Sequence, residues 1–218
     1  FQRRRPSNVR EQLGISEDSK IILSVGNYNP LKGQAELVRA MPELLAAQPR
    51  AKLVVVGGGT DALRPTIASS GVERAVVLTG SIAPPVLTAQ QENSSDRLAD
   101  LYLESDLYVS ASNAEGAEGL SLSLLDAMAA GLAVVATDIV GNRDAIQDGS
   151  NGYLVEPNNP ISLSSAIVKM VNDDELRLRM GRQSKQDSQE YAWTSIARTY
   201  VEIYEQLRAN SVSSVTQG

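Results

Sequence analysis

Residues 21–47 read IILSVGNYNPLKGQAELVRAMPELLAA, and the order of textures in that stretch decides the fold class. Ile21–Val25 is an apolar, β-branched run that stops at Gly26. It is too short for a lone helix and lacks strict alternation, so it reads as a strand buried on both faces of a parallel sheet. The chain then turns at Asn29-Pro30 and reaches Lys32-Gly33. Gln34–Ala47 follows as a helix, with Leu37, Met41, Leu44 and Leu45 along one side. The same succession recurs downstream. Leu53–Val56 stops at Gly57-Gly58-Gly59, Ala75–Leu78 at Thr79-Gly80, Leu107–Val109 at Ser110, and Ala133–Ala136 at Thr137-Asp138. Helical segments are expected over Asp61–Ser69, Leu98–Glu104 and Leu120–Ala130. Such alternation implies right-handed crossovers and a Rossmann-like parallel sheet flanked by helices. Ligands on these sheets bind outside the carboxyl ends of the strands, so the glycine-rich exits are where chemistry is expected.

The C-terminal part is more helical, with Ile161–Val171, Glu175–Gln189 and Thr194–Leu207 as candidates. Asp148-Gly-Ser-Asn-Gly152 is a turn-rich approach to a short edge element, Tyr153–Val155. Residues 211–218 are polar and unpatterned and read as a disordered tail, and Thr88–Asp96 reads as a surface loop.

Composition narrows the function. The chain has 218 residues, 42% hydrophobic and 21% charged, which suits one well-filled domain. A formal net charge of -6 argues against nucleic acid as a partner. The basic run Arg3-Arg4-Arg5 is short and terminal. Histidine and cysteine are absent, which removes imidazole bases, thiolate nucleophiles, disulfides and zinc or haem sites built on them. Carboxylate-bound Mg²⁺ or Mn²⁺ stays chemically open. No stretch approaches a membrane-spanning length, and a cytoplasmic protein is expected; peripheral membrane contact is left open. The chain begins at Phe1 and not Met, as a piece of a longer protein would.

The informative motif is Glu118-x7-Asp126, followed by Ala127-Met-Ala-Ala-Gly131. From Gly119 to Thr137 the only charged residue is Asp126. A charge in so apolar a helix calls for a ligand, an internal donor or a water-filled cleft. Glu118 would lie about 10–12 Å from Asp126 at about 1.5 Å rise per residue. Between them the first-turn N–H groups of Gly119, Leu120, Ser121 and Leu122 would face a diphosphate. The carboxylates would then each meet a polyol, sugar on one side and ribose on the other. Lys32 could direct its ammonium to the same diphosphate, though a turn with an exposed lysine explains it equally well. The segment is not a Walker A loop, and Gly57-Gly58-Gly59 is not a GxGxxG fingerprint. Asn142 and Arg143 could line the cleft, and Arg143 fits a surface residue as well.

In order and spacing, these pieces resemble the C-terminal, donor-binding domain of the retaining glycosyltransferase family 4, which has the two-domain GT-B architecture. The resemblance runs from Phe1 to about Tyr204. It rests on Arg10-x-x-Leu13-Gly14-Ile15, Val25-Gly26 to Lys32-Gly33, Lys52 to Gly57, Glu118-x7-Asp126, Val134 to Asp138, Asp148 to Val155, and Tyr191-Ala-Trp193 to Tyr204. It implies that residues 1–210 are a nucleotide-sugar-binding domain, the C-terminal half of a GT-B enzyme whose N-terminal acceptor domain is not in this sequence. The implied reaction is transfer of a sugar from a nucleoside diphosphate sugar to an acceptor, with anomeric retention and without a metal or other cofactor. The sequence does not specify the acceptor.

Carried over position by position, the resemblance gives Glu118 the sugar hydroxyls, Asp126 the ribose and Lys32 the diphosphate, with Lys32 and Glu118 as the catalytic pair. Asn27, Gly33 and the backbone from Gly119 to Leu122 complete the donor site, while Ser81 and Ile82 would contact the base. The sequence departs from the family pattern at Asn27, where arginine is usual, and at Asp126, where glutamate is usual. Thr88–Asp96 looks inserted. The closing helix would pack towards the other domain. A nucleotide-sugar epimerase of similar fold and a non-catalytic binding subunit are the alternatives, and the lack of histidine counts against the first.

Overall fold

The computed structural model describes residues 7–82, 97–113 and 119–215. The basic run at 3–5, the loop expected at 88–96 and Glu118 therefore lie outside the described residues. Within them, six strands form one parallel sheet: β1 (Ile21–Val25), β2 (Lys52–Val56), β3 (Val76–Gly80), β4 (Leu107–Ser110), β5 (Ala133–Thr137) and β6 (Gly152–Val155), in the spatial order β3-β2-β1-β4-β5-β6. The order reverses between β1 and β4, so their two exits diverge to opposite sides and leave a crevice between them.

Alternation along each strand feeds two cores. Ile22, Leu53, Val55, Leu107, Val109 and Val135 pack on one face, and Ile21, Leu23, Val54, Val56, Tyr108 and Val134 on the other. Both-face burial explains the continuous apolar texture of these strands. The first face is covered by α2 (Gln34–Ala47), α3 (Arg64–Ser70) and α7 (Pro160–Asn172). The second is covered by α1 (Val9–Gln12), α4 (Arg97–Glu104) and α5 (Leu122–Ala130). The short α6 (Val140–Arg143) follows β5, and α8 (Asp174–Asp187) leans on β5 and α5.

At the amino ends of the strands, Asp106 ties several elements together. Its Oδ2 accepts the Ile21 N–H at 2.8 Å, and its carboxylate faces Arg10, Lys20 and Arg177 at 3.9, 3.5 and 3.5 Å. Arg177 and Lys20 also share Asp174, which they hold well below the usual carboxylate range, at about 2.

Several expected boundaries shift for local reasons. The segment expected as a helix over Asp61–Ser69 is a 3-10 turn at Thr60–Leu63 followed by α3. Pro65 fits only the first turn of an α-helix, which fixes where α3 begins. The segment expected over Glu175–Gln189 becomes a 3-10 turn from Ser188. The closing helix, α9 (Trp193–Val215), runs on into the stretch expected to be a disordered tail. Extending an existing helix gains one hydrogen bond per residue fixed, whereas starting one is costly. Trp193, Tyr200, Tyr204 and Leu207 on α9 are exposed.

Candidate functional site: the crevice between β1 and β4

Where β1 ends, Gly26 donates to Val56 O at 2.8 Å and Tyr28 donates to Gly58 O at 2.8 Å, lacing the β1 and β2 exits together. The chain then makes a 3-10 turn at Pro30–Lys32, capped by Asn29, whose Oδ1 accepts the Leu31 N–H at 2.9 Å. Gly33 ends that turn in the left-handed region at φ +63° and opens α2. A Cβ at this position would lie 1.7 Å from Ala111 O. Glycine is thus required by both its backbone conformation and its close approach to the β4 exit.

This turn folds Lys32 back over the β1 exit. A Cβ placed on Gly26 would sit 3.7 Å from Lys32 Nζ. Partial burial draws the Lys32 ammonium below the usual lysine value. The turn is braced from the neighbouring exit: Asn113 donates its N–H to Leu31 O at 2.8 Å and its Nδ2 to Pro30 O at 3.2 Å. Asn158 Nδ2 donates to Asn113 O at 3.2 Å.

On the other side of the crevice α5 begins at Leu122, two residues later than expected. Ser121 is its N-cap, extended at φ -78° and ψ 127°, and its side chain makes no capping hydrogen bond. The open first-turn N–H groups are consequently those of Leu122 and Ser123, since Leu124 and Leu125 donate to Ser121 O, and not those of Gly119 and Leu120. Ser24, Lys32, Gln34, Tyr108, Ser112 and Ser121 are among the residues lining one small cleft. Lys32 and the N-terminus of α5 are thereby brought together. Gln34 is 3% exposed; its Nε2 donates to Gly26 O at 2.9 Å, and among the described residues its Oε1 has no hydrogen-bond partner.

The remaining candidates are placed as follows. Asp126 is exposed, so its charge is met from the open side of the helix and not from within the core. The helix buries Leu124, Ala127 and Met128, and Asp126 shares the outer stripe with the exposed Leu122. Its charge is still felt by the phenols of Tyr102 and Tyr108. Asn27 accepts the Gly58 N–H at 2.8 Å, and a Cβ on Gly58 would lie 2.9 Å from Ser81 Oγ, so Asn27, Gly58 and Ser81 form one corner beside the cleft. Ile82 packs into the second core.

Asn142 is 3% exposed and its amide is used internally, with Nδ2 donating to Thr137 O at 2.8 Å and Oδ1 accepting from Ser110 Oγ at 3.4 Å. A buried amide so engaged presents nothing to a diphosphate, which corrects that expectation. Arg143 is exposed and bonds Asp138, Nε to Oδ1 at 2.5 Å and a second guanidinium nitrogen to the carbonyl at 2.9 Å. It is not among the residues lining the small cleft beside Lys32. Among the described residues no group of three or more acidic, His or Cys side chains could hold a metal ion, and no helix is long and apolar enough to cross a membrane.

A parallel sheet with a cationic turn and an open helix N-terminus at its switch point recurs in many nucleotide-binding proteins, so the comparison with known families decides the family. The family described as Glycosyl transferases group 1 matches residues 7–187. The chain belongs to this family. Among curated relatives, an uncharacterized glycosyltransferase of Methanocaldococcus jannaschii is 33% identical over 200 residues, covering 90% of this chain and 47% of that protein. A D-inositol 3-phosphate glycosyltransferase of Kineococcus radiotolerans is 32% identical over 214 residues, covering 89% of this chain and 46% of that protein. The chain thus spans about half the length of these curated relatives. Among solved structures, the Anabaena protein HepE, crystallised with UDP and glucose, superposes with a TM-score of 0.77 at 22% identity, over 92% of this chain and 52% of that one. The fold is that of the C-terminal half of GT-B glycosyltransferases.

Sequence reasoning missed Gln34, Asn113, Tyr108 and Ser123. A phenol in the middle of an otherwise apolar strand, Leu107-Tyr108-Val109, was the available signal, because a buried hydroxyl needs a partner.

Proposed function

We propose that this chain is the donor-binding half of a retaining family 4 glycosyltransferase. In this reading a nucleoside diphosphate sugar lies across the crevice, and a second domain supplies the acceptor pocket and the opposite wall. The supporting observation is that Lys32 and the first turn of α5 line the same cleft at the carboxyl ends of β1 and β4. Lys32 and the N–H groups of Leu122 and Ser123 stabilise negative charge as it develops on the departing diphosphate. Asp126 takes the ribose hydroxyls, Glu118 orients the sugar, and Ser81 with Ile82 borders the base. Transfer proceeds on one face of the sugar, with configuration retained. The isolated half binds donor in an open, wet site and transfers little.

The ribose assignment is tested by comparing a ribonucleoside diphosphate with its 2′,3′-dideoxy analogue on Asp126→Ala. The substitution weakens the first and spares the second; equal affinities for wild type and variant would remove Asp126 from the site.

A non-catalytic binding subunit is the second reading, favoured by one observation. Asn27 stands where the family carries an arginine, its oxygen is committed to the Gly58 N–H, and Arg143 is committed to Asp138 outside the cleft. Sugar transfer by the full-length protein, with and without Asn27→Arg, separates the readings. Transfer by the unaltered protein establishes the enzyme, and transfer only after Asn27→Arg establishes the binding subunit.

A further inference from the structure

The first turn of α5 rests on two buried tyrosines from different elements. Tyr102, on α4, donates its hydroxyl to Ser123 O at 3.1 Å. Tyr108, on β4, is 2% exposed and donates its hydroxyl to Ser123 Oγ at 2.9 Å. Ser123 Oγ in turn lies 2.8 Å from Ser121 Oγ. Val25 at the β1 exit and Tyr108 line the same cleft. A continuous line of hydroxyls therefore runs from Tyr108 through Ser123 to Ser121 in the cleft.

Each hydroxyl carries one proton, and that sets a direction. Burial pushes the Tyr108 phenol up to about 12, so it stays protonated at neutral pH and can donate. Ser123 Oγ accepts that proton, and the partner 2.8 Å away to which it can pass its own is Ser121 Oγ. Chains aligned in one sense strengthen one another. Ser121 then has its proton left for the cleft. Its oxygen is not spent on the usual N-cap bond to the helix backbone. On the opposite wall Gln34, buried and lining the same cleft, holds an Oε1 with no partner among the described residues, an acceptor that suits a hydroxyl of the ligand or a water beside the diphosphate and not the diphosphate itself.

We propose that Tyr108 and Ser123 are positioning residues that present the Ser121 hydroxyl as a hydrogen-bond donor to an anionic group, the diphosphate of the bound nucleotide. The inference rests on reading the crevice as a diphosphate site. In it Ser121 contributes its side chain as well as its place at the helix end, and Tyr108 acts at a distance through Ser123. Tyr102, whose hydroxyl donates to the Ser123 carbonyl, anchors the helix backbone.

The test is calorimetric titration of the chain with UDP, GDP and ADP, using wild type, Tyr108→Phe, Ser121→Ala, their double variant and Tyr102→Phe, with thermal melts run alongside. Tyr108→Phe and Ser121→Ala are each expected to weaken the best-bound diphosphate about threefold to tenfold, the worth of one hydrogen bond. The double variant is expected to be no weaker than Ser121→Ala, because both cut the same line. Tyr102→Phe is expected to lower Tm and bind as wild type. Wild-type affinity in Tyr108→Phe, losses that multiply in the double variant, or an equal loss in Tyr102→Phe would overturn the relay. Wild type failing to bind any of the three diphosphates at millimolar concentration would overturn the diphosphate site itself, and the relay with it.

Discussion

Gly33 is the point where the turn that carries Lys32 meets the β4 exit, and Gly33→Ala separates two costs. The first is conformational: at φ +63° an alanine costs about 1–2 kcal/mol for the left-handed region. The second is steric. The new methyl would start 1.7 Å from Ala111 O and 2.7 Å from Ala111 C, and these are backbone atoms held at the end of β4. Relieving such overpacking typically costs about 1–3 kcal/mol more. Gly71, at φ +66° with nothing within 4 Å of a Cβ placed on it, carries the first cost alone. A loss of roughly 3 kcal/mol in Gly33→Ala lowers Tm by about 6–12 °C for a domain of this size, against about 2–8 °C in Gly71→Ala. Relief by separation of the turn from β4 also moves Lys32, so nucleotide affinity falls in Gly33→Ala and is unchanged in Gly71→Ala. Differential scanning calorimetry on both variants checks the first statement and titration checks the second. Equal Tm losses would refute the claim that the close approach, and not merely the dihedral, requires glycine at Gly33.

Other expectations follow from the same geometry. Lys32, held below the usual lysine value of 10.5 by desolvation, binds a diphosphate only when protonated, so affinity declines on the alkaline side before pH 10.5, and Lys32→Ala abolishes that dependence in a pH series of titrations. Tyr108 is raised in the folded state from 10.0 to about 12, so its contribution to stability is intact below about pH 10 and is lost as pH climbs through about 12; denaturant melts across that range show the decline in wild type and a shallower one in Tyr108→Phe. Asp106→Ala leaves the Ile21 N–H without its side-chain acceptor and takes one carboxylate from Arg10, Lys20 and Arg177, which keep Glu104 or Asp174, and lowers stability by about 1–3 kcal/mol, read as a drop in the urea midpoint without a change in binding.

The strands were legible because each apolar run, such as Leu53–Val56, ends at glycine or a small polar residue, and because both-face burial leaves few polar residues, Ser24 and Tyr108 among them, to blur it. The expected and observed bounds of α2 coincide, since the Gly33 turn and the apolar stripe from Leu37 to Leu44 agree. Sequence alone does not resolve where α5 starts, because Leu120 and Leu122 are equally apolar and only the extended backbone of Ser121 separates them. The exposure of Asp126 is hidden in the sequence for a related reason: an apolar neighbourhood in sequence surrounds a helix on all sides, but packing covers only the Leu124, Ala127 and Met128 face. Asn142 and Arg143 looked like cleft residues because local partners such as Thr137 and Asp138 cannot be told from ligands without coordinates. The line from Tyr108 to Ser121 crosses from β4 to α5 and exists only once those elements pack.

If the crevice between β1 and β4 holds the diphosphate of a nucleotide through Lys32 and the first turn of α5, removing the Lys32 ammonium must weaken that grip. Titration of the chain with UDP, GDP and ADP, wild type beside Lys32→Ala, tests this most directly. Saturable one-to-one binding of at least one diphosphate is predicted, weakened about tenfold to a hundredfold by the loss of a charged hydrogen bond in Lys32→Ala. Absence of binding at millimolar concentration, or equal affinity in Lys32→Ala, would contradict it.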